Sequence, residues 1–97
     1  MEEYKFKTTF WSDFNIADRF GLEAIQDTFD RVFEEWKIDY IYLTELVLVL
    51  NWKIWQHYDK GNMDKAKLYD KLWQKAQSYG YDTLKGDKLK YFIETLD

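Results

Sequence analysis

Asp39-Tyr40-Ile41-Tyr42-Leu43-Thr44-Glu45-Leu46-Val47-Leu48-Val49-Leu50-Asn51-Trp52-Lys53-Ile54-Trp55-Gln56-His57-Tyr58 holds the most apolar run of the chain. Its centre, residues 46–50, suits a buried strand as well as a buried helix, because an unbroken apolar run carries no period. Length separates the two. A strand usually ends after about 5–6 residues, whereas this stretch continues to Tyr58 without Gly or Pro. Asp39 is a residue type that caps helices. Wound as a helix, Leu43, Leu46, Val47, Leu50 and Ile54 form one stripe, and Tyr42, Val49 and Trp52 a second. A helix apolar on two sides belongs in the middle of a fold. Asp39, Glu45, Asn51 and Lys53 interrupt the run. A membrane span needs about 20 predominantly apolar residues, and charges at its centre are costly. The expectation is a buried helix of a soluble protein.

The flanking sequence reads as helices packed around this one. Downstream, Gly61 breaks the chain and Asn62 is placed to cap a helix reaching about residue 79, with Ala66, Tyr69, Leu72, Trp73 and Ala76 as its core stripe. Gly80 fits a C-terminal cap. After a loop through Gly86, Asp87 caps a last helix that turns Leu89, Phe92, Ile93 and Leu96 inward. Upstream, residues 22–37 are the clearest amphipathic segment. Leu22, Ile25, Phe29, Val32, Phe33 and Trp36 recur at spacings of three and four, opposite Glu23, Asp27, Asp30, Arg31, Glu34 and Glu35. Ser12 caps a short helix over about residues 13–20, with Phe14, Ala17 and either Ile16 or Phe20 on its apolar side, and Gly21 ends it. Tyr4-Lys5-Phe6-Lys7-Thr8-Thr9-Phe10 alternates with a period near two, but a lone strand has no partner for its hydrogen bonds. Residues 1–11 are therefore expected to form an extended arm, and residues 12–97 a single helical domain. The fold class is all-α, a compact single-domain bundle of four to five helices with an extended N-terminal arm.

Composition narrows the function. The 97 residues suffice for one domain, and a 21% aromatic share argues against disorder. Absence of Cys removes disulfides, thiolate metal sites and thiol nucleophiles. Fourteen basic and 18 acidic residues give a net charge of −4, without a general basic footprint for nucleic acid. The acidity is concentrated in the first 36 residues, while residues 60–90 hold eight Lys and four Asp. The first residues are acidic and no apolar segment follows them, so the expected compartment is the cytoplasm. His57, the single histidine, has Asp59 and Asp64 near it in sequence, but a metal site needs three or four ligands of defined geometry. Ser12 and Ser78 read as a cap and a helix end rather than nucleophiles. Glu34 and Glu35 are adjacent and point about 100° apart on a helix. No Gly-rich phosphate loop occurs. Neither enzyme activity, nor a metal, nor a cofactor is expected.

Two patterns bear on nucleic acid. Ile16-Ala17-Asp18-Arg19-Phe20-Gly21-Leu22 resembles the first helix and turn of a helix-turn-helix module, which would make the next helix the DNA reader. That helix would present Glu23, Asp27 and Asp30, and carboxylates repel phosphate. Lys67, Lys71 and Lys75 form a ridge at i, i+4 spacing, with Tyr and Trp interleaved that could stack on bases. No Arg accompanies them, and Arg is the usual bidentate reader. A solvated helix face is the simpler account, and nucleic acid is not the expected partner.

The positive clue is the aromatic surplus: 7 Phe, 8 Tyr and 5 Trp in 97 residues. Phe29, Phe33, Trp36, Trp73 and Phe92 fit the apolar stripes naturally, whereas Trp11, Tyr40, Trp52, Trp55, Tyr58, Tyr79 and Tyr81 are less clearly placed, and Trp52, Trp55 and Tyr58 follow one another at three-residue spacing. Tyr and Trp bury large areas and keep a polar handle, which suits them to binding surfaces. The competing account is a thick aromatic core. Residues 8–14, 16–21 and 43–55 look like the wording of small uncharacterised helical proteins encoded by prophages and mobile elements of Firmicutes-type bacteria. That resemblance implies a cytoplasmic accessory protein and assigns no functional residue. The expected function is a non-enzymatic protein–protein interaction module, acting on a host protein or pairing with itself as a homodimer through Trp52, Trp55, Tyr58, Trp11 and Tyr40. The alternative is a nucleic-acid-associated accessory protein using Lys67, Lys71 and Lys75.

Overall fold

The structure is a computed structural model that describes residues 10–96. The deciding stretch is helical: α3 spans Tyr40–Asp59, and the carboxylate of Asp39 accepts from the backbone N–H groups of Ile41 and Tyr42 at 3.0 and 3.4 Å. Around it lie α1 (Phe10–Asp18), α2 (Leu22–Trp36), α4 (Met63–Thr83) and α5 (Gly86–Leu96). Among the described residues every element is a helix. α3 runs most closely beside α4 and also touches α1, α2 and α5. That position explains its two apolar sides. Leu43, Leu46, Val47, Val49 and Leu50 are fully buried, and Phe14, Ile25, Phe29, Tyr69 and Phe92 close over them from the other four helices. No helix is long and apolar enough to cross a membrane among the described residues.

Three boundaries differ from the sequence expectation. Helix α1 begins at Phe10, so the supposed arm boundary after residue 11 falls inside it, and Ser12 is an exposed residue within the first turns rather than a cap. The cause is packing. Phe10 is buried, its ring edge-on to Trp36 and Tyr42 at 6.3 and 6.2 Å. The rest of the expected arm, residues 1–9, lies outside the described residues. At the other end, Gly80 is not a cap; α4 continues to Thr83. A Cβ at Gly80 would stand 2.3 Å from Phe92 Cζ, so the glycine is there to let a ring reach the helix backbone. Helix α5 begins at Gly86, with Asp87 already in its first turn. Gly21 does act as expected: its φ of 111°, a value side chains disfavour, turns the backbone between α1 and α2.

Several side chains expected inside are outside. Leu22 and Ile93 are exposed, and so are both candidates for the apolar side of α1, Ile16 and Phe20, the latter at 77%. Phe14 and Ala17 alone supply the inward face of that helix together with Phe10.

Candidate functional site

The five aromatic residues expected to form an interface fall into two groups. Trp11 on α1 meets Trp52 on α3 edge to face, with ring centres 6.3 Å apart. Trp55, one turn further along α3, stands edge-on to Tyr58 at 5.7 Å. Trp11, Trp52 and Trp55 line a groove of about 420 Å³ with Gln56, Asp59 and Lys60. Trp55 and Tyr58 are 56% and 53% exposed, while Trp52 and Trp11 are half-buried. Tyr40 is not part of this group. It lies at the opposite end of α3, about 22 Å away at 1.5 Å per residue. There it packs edge-on against Tyr91 of α5 at 5.3 Å, beneath the Lys88 ammonium.

The lysine ridge is not uniform. Lys67 and Lys71 are exposed on α4. Lys75 is exposed as well, but its ammonium sits over the rings of Phe29 and Phe33, at 5.8 and 5.6 Å, and so caps the α2–α4 contact through a cation–π interaction.

Sequence reasoning missed a knot of polar groups in the interior. Lys53 Nζ is fully buried and donates to Asp18 Oδ2 at 2.8 Å and to Asn15 Oδ1. Tyr69 Oη donates to the other Asp18 oxygen at 2.5 Å, and Lys65 Nζ to the Asp18 backbone carbonyl at 2.8 Å. His57 is 3% exposed and stacks flat on Tyr69. Its Nε2 lies 3.0 Å from Asp18 Oδ2, close enough for an ion pair but out of line for a directed hydrogen bond. Asn62, which makes no side-chain cap for α4, turns its amide toward His57 Nδ1 at 3.4 Å. One carboxylate thus ties α1 to both α3 and α4. The signal was present in the sequence: Lys53 and His57 continue the buried face of α3 beyond Leu46 and Leu50 at helical spacing.

The electrostatics follow from crowding two lysines, a histidine and a tyrosine around one acid. Burial would raise the Asp18 pKa, but hydrogen bonds from Lys53 and Tyr69 and the charge of Lys53 outweigh it, and the carboxyl stays below its usual range. Burial pushes the Lys53 ammonium down, against the opposing pull of Asp18. His57 is also pushed down, first by burial and further by Lys53 and Lys65, with Asp18 opposing. The Tyr69 hydroxyl is pushed up by burial and by its bond to the Asp18 carboxylate, which fixes it as a donor. Asp18, Lys53 and Tyr69 are thus spent on one another, while His57 Nε2 faces Asp18 without a directed hydrogen bond.

Among the described residues, no three His, Cys, Asp or Glu side chains gather where they could hold a metal ion. The groove between the α1–α2 corner and the α3–α4 turn, lined by Gly21, Leu22, Met63 and Lys65 among others, is open and mixes apolar with polar surface. The tryptophan groove is the site with distinct chemistry: indole walls, an amide, one acid and one base. Comparison with protein-family models, with curated proteins and with solved structures finds no match to this chain.

Proposed function

We propose that this chain is a non-enzymatic protein-binding module whose contact surface is the C-terminal half of α3. The observation that carries the proposal is the exposure of Trp55 and Tyr58, each more than half open, beside a groove walled by Trp11 and Trp52. Large rings at a water boundary, ringed by charged Asp59 and Lys60, have the anatomy of a binding hot spot. The buried knot supports the same reading. It locks α1 onto α3, so Trp11 and Trp52 are held in one geometry before any partner arrives, and a preorganised surface loses less freedom on binding. The occupant is a segment of another protein of the same cell, in keeping with the resemblance to prophage-encoded accessory proteins. Enzyme activity is not part of the proposal.

The test is a comparison of partner complexes, isolated from cells, between the wild type and two variants. Trp55→Ala combined with Tyr58→Ala removes exposed rings only. It is expected to lose the partner held by the wild type while leaving circular dichroism and melting unchanged. Lys67→Glu combined with Lys71→Glu is expected to keep that partner. The opposite pattern, with retention of nucleic acid by the wild type at low salt, would replace this proposal with the lysine-ridge alternative. Sedimentation of the wild type over a range of concentrations reads self-association directly; a dimer broken by Trp55→Ala would make the partner a second copy.

A further inference from the structure

We propose that the tryptophan groove is a receptor for an arginine side chain presented by the protein partner, an inference that rests on the binding-face reading above. Three features on the groove converge on that one side chain. Its walls are the indoles of Trp11, Trp52 and Trp55. The indole face carries negative quadrupole charge and attracts a cation, more strongly than Tyr or Phe does. The molecule already uses this attraction from the inside, where the Lys53 ammonium lies 4.5 Å over the Trp11 ring. The second feature is Gln56, which lines the groove and whose Oε1 is buried without a hydrogen-bond partner. A buried acceptor in that condition is unfavourable, because it has given up water and gained no donor in return. Its terminal torsion is soft enough to turn the oxygen to a donor that enters the groove. The third is the Asp59 carboxylate, in the last turn of α3, where the exposed carbonyls of the helix end add partial negative charge.

An apolar occupant would fill the indole walls and leave the amide and the carboxylate unused. A lysine would use the carboxylate, but its compact ammonium holds water tightly and does not stack. A guanidinium is flat, weakly hydrated and permanently charged, and it can stack on an indole while donating to two acceptors at once. Lys60 lines the same groove, but its long exposed stem can carry the ammonium out into water and leave the Asp59 carboxylate facing the occupant. The chain's net charge of −4 steers a basic partner toward it.

The five indole N–H resonances of the protein provide the test. N-acetyl-arginine methylamide, which mimics arginine within a chain, is titrated into the nitrogen-labelled full chain. Saturable shifts are expected for Trp11, Trp52 and Trp55, with Trp36 and Trp73 unmoved as internal controls. The lysine analogue is expected to bind about tenfold more weakly, for want of stacking and paired donation. Gln56→Glu should tighten the arginine probe, and Asp59→Asn and Trp55→Ala should weaken it. Equal response to the lysine analogue, no saturable shift, or free arginine binding more tightly than the blocked form would each overturn the proposal. Loss of the partner complex in Trp55→Ala without any response to the arginine probe would sink the arginine receptor and leave the binding face standing. Response to the probe with the partner complex intact in Trp55→Ala would do the reverse.

Discussion

Asp18 and Lys53 are unequal partners, and the difference is measurable. Lys53 is 0% exposed, and Asp18 Oδ2 is the anionic oxygen within its reach; the Asn15 carbonyl is a neutral second acceptor. Asp18 keeps Tyr69 and His57 beside it when Lys53 is gone. Removing one member of a buried pair leaves the other charged and poorly compensated, at a cost of about 3–5 kcal/mol. Asp18→Asn should therefore lose stability in that range, measured by urea unfolding. Lys53→Met, which fills similar volume and strands a better-supported acid, should lose clearly less. Equal losses would mean that Asp18 depends on Lys53 as fully as the reverse. At this scale the sequence was only partly legible. Asp39 could be identified as a cap because a cap is a local event, settled within three residues. The Lys53–Asp18 pair spans 35 positions, and nothing in the identity of either residue announces the other; the single cue was a lysine on the buried face of a helix.

The meeting of α4 and α5 is where local cues misled. Glycine after an amphipathic run is the commonest C-cap signal, yet Gly80 lies within a continuous helix because Phe92 needs the space a side chain would take. The Phe92 ring is fully buried against it and edge-on to Tyr81 at 5.5 Å. Gly80→Ala sets two effects against each other. Alanine gains about 1 kcal/mol in helix propensity, while overpacking typically loses about 1–3 kcal/mol. The added carbon would lie 2.3 Å from Phe92 Cζ and under 3 Å from two further ring carbons, so the ring must leave its place and overpacking wins. The variant should melt lower than wild type, and adding Phe92→Leu should recover part of the loss. Higher melting of Gly80→Ala alone would show that α5 shifts without penalty. A related effect acts at the start of α1: Phe10 ends an alternating run in sequence but is helical in space, its ring docked edge-on against Trp36 and Tyr42. Helix number, order and the central place of α3 were legible, since they rest on long periodic stripes. The tryptophan groove was half legible: the surplus rings were named, but Gln56 and Asp59 became relevant only once α1 had brought Trp11 beside Trp52.

Across the whole molecule the polar knot gives stability a definite dependence on pH. Asp18 from α1, Lys53 and His57 from α3, and Lys65 and Tyr69 from α4 face one another, so any change in charge is felt by three helices at once. His57 governs the first acidic step. Its ordinary value is 6.5, and in the fold it lies lower, because burial and then the Lys53 and Lys65 charges disfavour the imidazolium more than Asp18 favours it. As pH falls through 6.5 the unfolded chain takes up a proton that the folded chain still refuses. The unfolded state thus binds more protons, and stability declines with falling pH until the folded-state value is passed. The slope for one such group cannot exceed about 1.4 kcal/mol per pH unit. Asp18 acts later: its folded value lies below 3.8, so its contribution persists down to that pH and is lost as acidity passes through the folded value. Glu45 has the opposite sign. Burial, and then the Asp39 charge, raise it above 4.5, so its penalty at neutral pH is relieved as pH drops toward that value. The interval from about pH 7 to about pH 5.5 therefore belongs mainly to His57. Urea midpoints across it should fall for the wild type and stay flat for His57→Gln, whatever the offset between the two proteins at neutral pH. A wild-type midpoint that rises on acidification would mean that Asp18 outweighs burial and both lysines, and that His57 is held as a cation in the fold.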